Sequence, residues 1–281
     1  MKKFSEIMLA LIAFASLSAS AFGAANEEAA STVGLNESIS RGEMLFNFDQ
    51  AAWHSTDALV EKAGDISKLP IVGRIVIPVK DGFQAIYYGA NKDGRFQVFS
   101  SIWDGQKLID TVYSKGETGI PLSPQATKYA EVLELLTSGK IDTSDLWFCN
   151  KAQPNFVLLP GTKENEFLVY FMTAQEQTTR YPLGGHHRFD IIDGKVVSKR
   201  AFTKTCIDYD KKEAVKASGK KIVAFFVAHL LDPIPTELHV FTALASQSPI
   251  YVTTSSKKTW IIQPEGQSVT VAEVPAQGNR E

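Results

Sequence analysis

"IVGRIVIPVKDGFQAIYYGANKDGRFQVFSSIWDGQKLIDTVYS", residues 71–114, decides the fold class. Four runs rich in β-branched and aromatic residues are separated by Asp81-Gly82, Asp93-Gly94 and Asp104-Gly105. Asp-Gly between such runs signals a hairpin, because both residues accept the positive φ of a tight turn. Three hairpins in series lay each strand antiparallel beside the one before it, so the stretch predicts a four-stranded meander. Parallel neighbours would need long crossovers instead, which excludes a doubly wound sheet here.

Upstream, the pattern is helical from Ser38: Met44, Leu45, Phe48, Ala52 and Leu59 recur near a 3.6-residue period, and Gly64 stops the run. Within it, "WHSTD" (residues 53–57) reads as a break between two short helices, with Trp53 in the core and Asp57 capping. Downstream, "SPQATKYAEVLELLTSGK" (123–140) is a helix with Ser123 or its neighbour as its cap, Pro124 at its first position and Gly139 at its end. "NFVLLPG" and "EFLVYFMTA" form two strands joined by the turn 161–165, and Asp193-Gly194 marks another hairpin. "KKIVAFFVAHLL" (220–231) is a nearly continuous apolar run, read as a strand buried on both faces. A short helix, "TELHVFTALAS" (236–246), and a last hairpin complete the chain, with "SVTVAEV" (268–274) as an optional edge strand. The expected fold is α+β: an N-terminal helical segment, an antiparallel meander, a central helix, and a second mostly antiparallel sheet with one short helix.

The first 23 residues, "MKKFSEIMLALIAFASLSASAFG", read as a signal peptide. Lys2 and Lys3 precede an apolar run from Ile7 to Leu17, and small residues follow, with cleavage after Ala21 or Gly23. The run is too short to span a bilayer, and no later run approaches the ~20 apolar residues a membrane helix needs. Residues 24–37 read as a disordered lead-in, 38–274 as one domain with a possible subdivision into 38–145 and 146–274, and 275–281 as a tail. The product is expected to be periplasmic or secreted and not inserted in a membrane. Without its leader the chain carries 27 basic and 30 acidic side chains. That balance supplies neither a basic footprint for nucleic acid nor a polybasic membrane patch. Cys149 and Cys206 are the only cysteines, and in an oxidising compartment two cysteines pair as one disulfide.

Four of the five histidines fall in two short segments, "GGHH" (184–187) and "HLLDPIPTELH" (229–239). His186, His187, His229, Asp232, Glu237 and His239 are therefore the candidate polar site. Zinc takes three or four imidazoles, thiolates or carboxylates, and His186, His229 and His239 are the candidate ligands. Glu237 or Asp232 would serve as a further ligand or as general base. Against this, no HExxH or HxH spacing occurs, and consecutive His186 and His187 in a strand point to opposite sides. The structural reading makes the double-proline turn the organiser of the second sheet, with His229 and His239 buried and bonded to backbone. No GxSxG elbow, Walker loop or GxGxxG motif appears.

"FDQAAWHSTDAL" (48–59), "YPLGGHHRFD" (181–190), "RAFTKTC" (200–206) and "HLLDPIPTELHVFTALASQSPIYV" (229–252) together resemble a small family of exported bacterial proteins to which no activity is attached. The order of elements over residues 184–262 is also similar to that of JAB/MPN-type zinc isopeptidases. Those carry a His-x-His-Pro run after the corresponding strand; here it is His229-Leu230-Leu231-Asp232, without the second histidine. Glu237 does not clearly match their acidic ligand, and no upstream catalytic glutamate is evident. That resemblance implies a non-catalytic cousin. Two functions are thus expected: a non-catalytic domain binding a periplasmic or extracellular protein or small ligand, with no cofactor, or a zinc-dependent hydrolase built on the histidines.

Overall fold

The computed structural model describes residues 2–114, 119–163, 165–220 and 223–275, with side chains from residue 32 onward except at Ser218. The chain has an α+β fold. Helix α1 (Lys2–Ala63) is followed by β1 (Gly73–Val79), β2 (Gly82–Asn91), β3 (Gly94–Trp103) and β4 (Leu108–Tyr113). These four pair in chain order as an antiparallel meander, and the short β5 (Ile120–Pro121) adds to β3. The glycine of each Asp-Gly turn has positive φ: 136° at Gly82, 124° at Gly94 and 100° at Gly105. Helix α2 (Pro124–Thr137) starts as expected, with the Ser123 side chain accepting the Ala126 N–H.

The second half is less uniform than one antiparallel sheet. Strands β6 (Asn155–Pro160), β7 (Glu166–Met172), β9 (His187–Ile192) and β10 (Lys195–Ala201) form one antiparallel sheet in the order β10-β9-β7-β6. Between them, β8 (Arg180–Pro182) pairs with β11 (Asp208–Asp210) as a separate ribbon. Helix α3 (Lys211–Ser218) then leads to β12 (Phe225–His229), α4 (Glu237–Ser246), β13 (Ile250–Thr254), β14 (Thr259–Glu265) and β15 (Ser268–Val274). Strand β12 runs parallel to β13, because α4 is the crossover between them, whereas β13, β14 and β15 are antiparallel. The expected "SVTVAEV" edge strand is β15.

Three local expectations give way. Strand β12 is not buried on both faces: it is the edge of its sheet, and Phe226 is 61% exposed. An unbroken apolar run looks alike whether its outer face is covered or left bare. Residues 24–37, expected to be disordered, belong to α1, consistent with their alanine and glutamate content. The break at residues 53–57 does not occur either. Ser55 bonds Ser101 (2.5 Å), and Thr56 donates back to the Ala52 carbonyl (2.6 Å), so their hydroxyls are satisfied without leaving the helix. The residue 275–281 tail lies outside the described residues beyond Pro275.

Helix α1 joins the two halves. Leu45, Phe48 and Ala51 enter the largest apolar cluster, shared by α2, β1, β2, β6, β7 and β9. Phe46 enters a second cluster beneath β12–β14, and Leu59 a third with Tyr87 and Phe99. The close approach of α1 to α4 depends on Gly42, where a Cβ would collide with Val240 and lie 2.7 Å from the Glu237 carbonyl oxygen. Cys149 and Cys206 are bonded, with Cα atoms 5.4 Å apart, and tie the segment after α2 to the one after β10. On the chain-entropy model, closing this loop stabilises the fold by about 4 kcal/mol.

Candidate functional site

The double-proline turn brings His229, at the end of β12, against His239 in the first turn of α4, with ring centroids 4.7 Å apart and edge-on. His239 accepts the Thr236 N–H on Nδ1 (3.0 Å), which closes the start of α4. Burial, with His229 adjacent, pushes its pKa down to about 3, so the ring is neutral. His229 donates from Nε2 to Asp232 (2.7 Å), which also accepts from Arg200 (2.8 Å). Burial opposes the charge of Asp232, but these two partners hold its carboxyl below the ordinary range. Both rings are buried as the structural reading expected; His239 bonds backbone, whereas His229 bonds a carboxylate.

The other candidates face elsewhere. His186 accepts the Thr173 N–H on Nδ1 (3.2 Å) and donates from Nε2 to the Pro182 carbonyl (3.1 Å). Burial lowers its pKa to about 4. His187, on the opposite side of the chain, bonds the Trp147 carbonyl (2.8 Å) between the rings of Trp147 and Phe148. Glu237 points away from the histidines, accepting from Arg188 (2.6 Å) and Tyr170 (3.0 Å). Arg188 is held also by Asp190 (2.7 Å). Desolvation opposes the Arg188 charge, yet these oxygens raise its pKa. Tyr170 is likewise pushed far up, by burial and by Glu237. The six residues are thus spent on hydrogen bonds within the fold: Glu237 ties α4 to β7 and β9, and His229 of β12 is linked through Asp232 to Arg200 of β10. Among the described residues no three His, Cys, Asp or Glu side chains converge as metal ligands, so the zinc set of His186, His229 and His239 is not assembled.

A different site lies between α1, β1, β6, β8 and α4. On α1, Phe46, Asp49, Gln50, Trp53 and Thr56 recur at three- and four-residue spacing and line one wall of a groove of about 790 Å³. Arg74 and Val76 of β1, Asn155–Leu158 of β6, and Phe241, Leu244 and Ala245 of α4 complete it. The volume lies in the range of small-ligand sites. The floor is apolar and aromatic, and the rim carries the amides of Gln50, Asn155, Gln175, Gln177, Gln247 and Gln267.

No protein-family model matches this chain, and no curated protein matches it.

Asp49 is the unusual group in the groove. Its carboxylate makes no hydrogen bond or ion pair with any described residue. Burial against the aromatic wall pushes its pKa up to about 6, and the charge of Arg74 only partly opposes the rise. The Arg74 guanidinium donates instead to Thr56 Oγ1 (3.3 Å). At the rim, Trp53 is 57% exposed rather than in the core. It lies over His54 (centroids 4.7 Å), which stacks on Trp103 (4.3 Å, planes 14° apart). This stack presents the indole to the groove already ordered. Sequence reasoning missed the site because it took residues 53–57 for a break. Continued as a helix, Asp49, Trp53 and Thr56 fall at i, i+4 and i+7, which places a carboxylate and an indole on one stripe.

Proposed function

We propose that this is an exported, non-catalytic binding protein whose ligand occupies the groove over Asp49. One observation carries the reading: an unpartnered carboxylate in a largely apolar groove. A partly desolvated charge is costly unless a donor satisfies it, and no described residue does so. A ligand that supplies the donor would recover that cost on binding. The ordered Trp53 at the rim and the amide-bearing walls support the same reading, since ligand sites combine apolar walls with a few placed polar groups.

Export is supported by the Lys2-Lys3 start, the short apolar run and the small residues around Ala21 and Gly23. The disulfide fits an oxidising compartment, and among the described residues no helix is long and apolar enough to cross a membrane. The hydrolase alternative would need a metal set that the histidines do not form. The likeness of residues 184–262 to JAB/MPN-type domains fits a non-catalytic cousin, because His229 and His239 are engaged with Asp232 and Thr236.

Cell fractionation with N-terminal sequencing tests the first part: the exported chain is expected to begin at Phe22 or Ala24. An uncleaved cytoplasmic chain would refute export. Ligand screening by thermal shift tests the second. Compounds that raise the melting temperature of the wild type should fail on Ala245→Trp, which fills the groove, its fold being checked by circular dichroism.

A further inference from the structure

We infer that the groove binds a short extended peptide that carries an ammonium group beside apolar residues, with Asp49 as the ammonium acceptor. The inference rests on the groove being the binding site and names what enters it.

Charge comes first. Of the groove's charged side chains, Asp49 and Glu176 are acidic and Arg74 is basic, and Arg74 turns its guanidinium to Thr56. Glu176 is exposed to solvent, whereas the Asp49 carboxylate is set in the aromatic wall, and its complement is a cation with an apolar body. A bare inorganic cation does not fit, since the described residues offer no second and third ligand around it.

Shape and hydrogen bonding narrow the class. Phe46, Phe48, Phe156 and Phe241 give the groove an aromatic lining suited to apolar side chains. Among the described residues six carboxamides line it as well; Gln247 gives its N–H groups to the Leu244 and Gly266 carbonyls, and the others carry both a donor and an acceptor, the pair that a peptide group requires. Strands β1 and β6, which both border the groove, are terminal strands of their sheets. Terminal strands present unpaired backbone groups, and extended peptides are commonly held against them. A neutral glycan would use Trp53 and the amides but would leave the Asp49 charge with only the partial opposition of Arg74.

Protonation should tune this binding. The titratable or charged groups lining the groove with Asp49 are Arg74 from β1, Glu176 from the segment before β8, and Tyr181 from β8; β6 and α4 contribute none. Burial pushes Tyr181 above its ordinary value, away from the range tested. With Asp49 near 6, about a tenth of it is ionised at pH 5 and nearly all at pH 7.5. Affinity for a lysine-bearing peptide should therefore fall about tenfold between pH 7.5 and pH 5.

The experiment is affinity selection of the full chain on a pooled library of pentapeptides built from phenylalanine, leucine, valine, glutamine and lysine. It is run with free and with fully acetylated amines, and in parallel on an array of neutral oligosaccharides. Free-amine apolar pentapeptides should be retained. Acetylation or Asp49→Asn should reduce retention at least tenfold, and Asp49→Asn should remove the pH dependence. Retention unaffected by acetylation and by Asp49→Asn would overturn the ammonium assignment. Oligosaccharide binding that Ala245→Trp abolishes would overturn the peptide class and leave the groove as the site. Peptide binding that survives Ala245→Trp would overturn the groove itself, as would no binding in any arm.

Discussion

Asp49→Asn should make the protein more stable, and only where the carboxyl would be ionised. The folded-state pKa of Asp49 is about 6 against an ordinary value of 3.8. The folded chain therefore holds this proton more tightly than the unfolded chain does. The stability it contributes is fully present below pH 3.8 and is lost as the pH rises through 6. The difference corresponds to about 3 kcal/mol at neutral pH, at ~1.4 kcal/mol per tenfold change in proton affinity. Asparagine keeps the shape and hydrogen-bonding capacity of the protonated acid and removes the charge. Urea unfolding of wild type and variant at intervals from pH 3.5 to pH 8 should show no difference at the acid end. The gap should open between pH 4 and pH 6 and reach a plateau of up to about 3 kcal/mol above pH 7. In thermal unfolding the plateau corresponds to roughly 6–12 °C for a chain of this size. The buried histidines His186 and His239, with pKa lowered to about 4 and about 3, work in the opposite sense. They remove stability as the pH falls below 6.5, but equally in both proteins, so the difference curve isolates Asp49. A difference that is flat with pH, or that favours the wild type at pH 7.5, would show that the carboxyl is not desolvated and would remove the main support for the groove as a binding site.

Three further outcomes follow from the packing. Thiol titration of the denatured, unreduced protein should find no free cysteine, and reduction should cost about 4 kcal/mol of stability; two titratable thiols would contradict the Cys149–Cys206 bond. Glu237→Ala should destabilise by up to about 3 kcal/mol, because it leaves Arg188 buried with Asp190 as its one remaining carboxylate and removes the acceptor of Tyr170. Replacing the pair together, as Arg188→Met with Glu237→Leu, should cost distinctly less; equal costs would mean that the pair is not coupled. His239→Ala should cost roughly 1–3 kcal/mol through the lost Thr236 contact, while added zinc should leave the wild-type melting temperature unchanged. A zinc-dependent rise that vanishes in both His229→Ala and His239→Ala would reinstate a metal site.

The meander, the start of α2 and the β9–β10 hairpin were legible in the sequence because each rests on a local conformational preference. Asp81-Gly82, Asp93-Gly94 and Asp104-Gly105 select positive φ within two residues, and Ser123-Pro124 caps a helix within four. The continuity of α1 through Trp53–Asp57 was hidden because the hydroxyls that satisfy it find partners both inside the helix and across the fold, at Ser101 and Tyr87. The exposure of Phe226 was hidden for a related reason: periodicity records which residues are apolar, and not whether anything covers them.

The same division separates the two sites. Composition and spacing marked the histidines and the proline turn, and that stretch alone implied a fixed bend with buried rings. Whether those rings would converge on a metal depended on where β9 and α4 came to rest, and the packing turned Glu237 toward Arg188 and His186 toward Thr173. The groove lies further from the reach of sequence. Asp49, Arg74, Phe156, Ala245 and Gln267 meet there from five segments spread over more than two hundred residues. Each residue reads alone as an ordinary helix, strand or turn position. The desolvation of Asp49 is a property of what surrounds it, and only the tertiary packing of α1 against both halves supplies that surrounding.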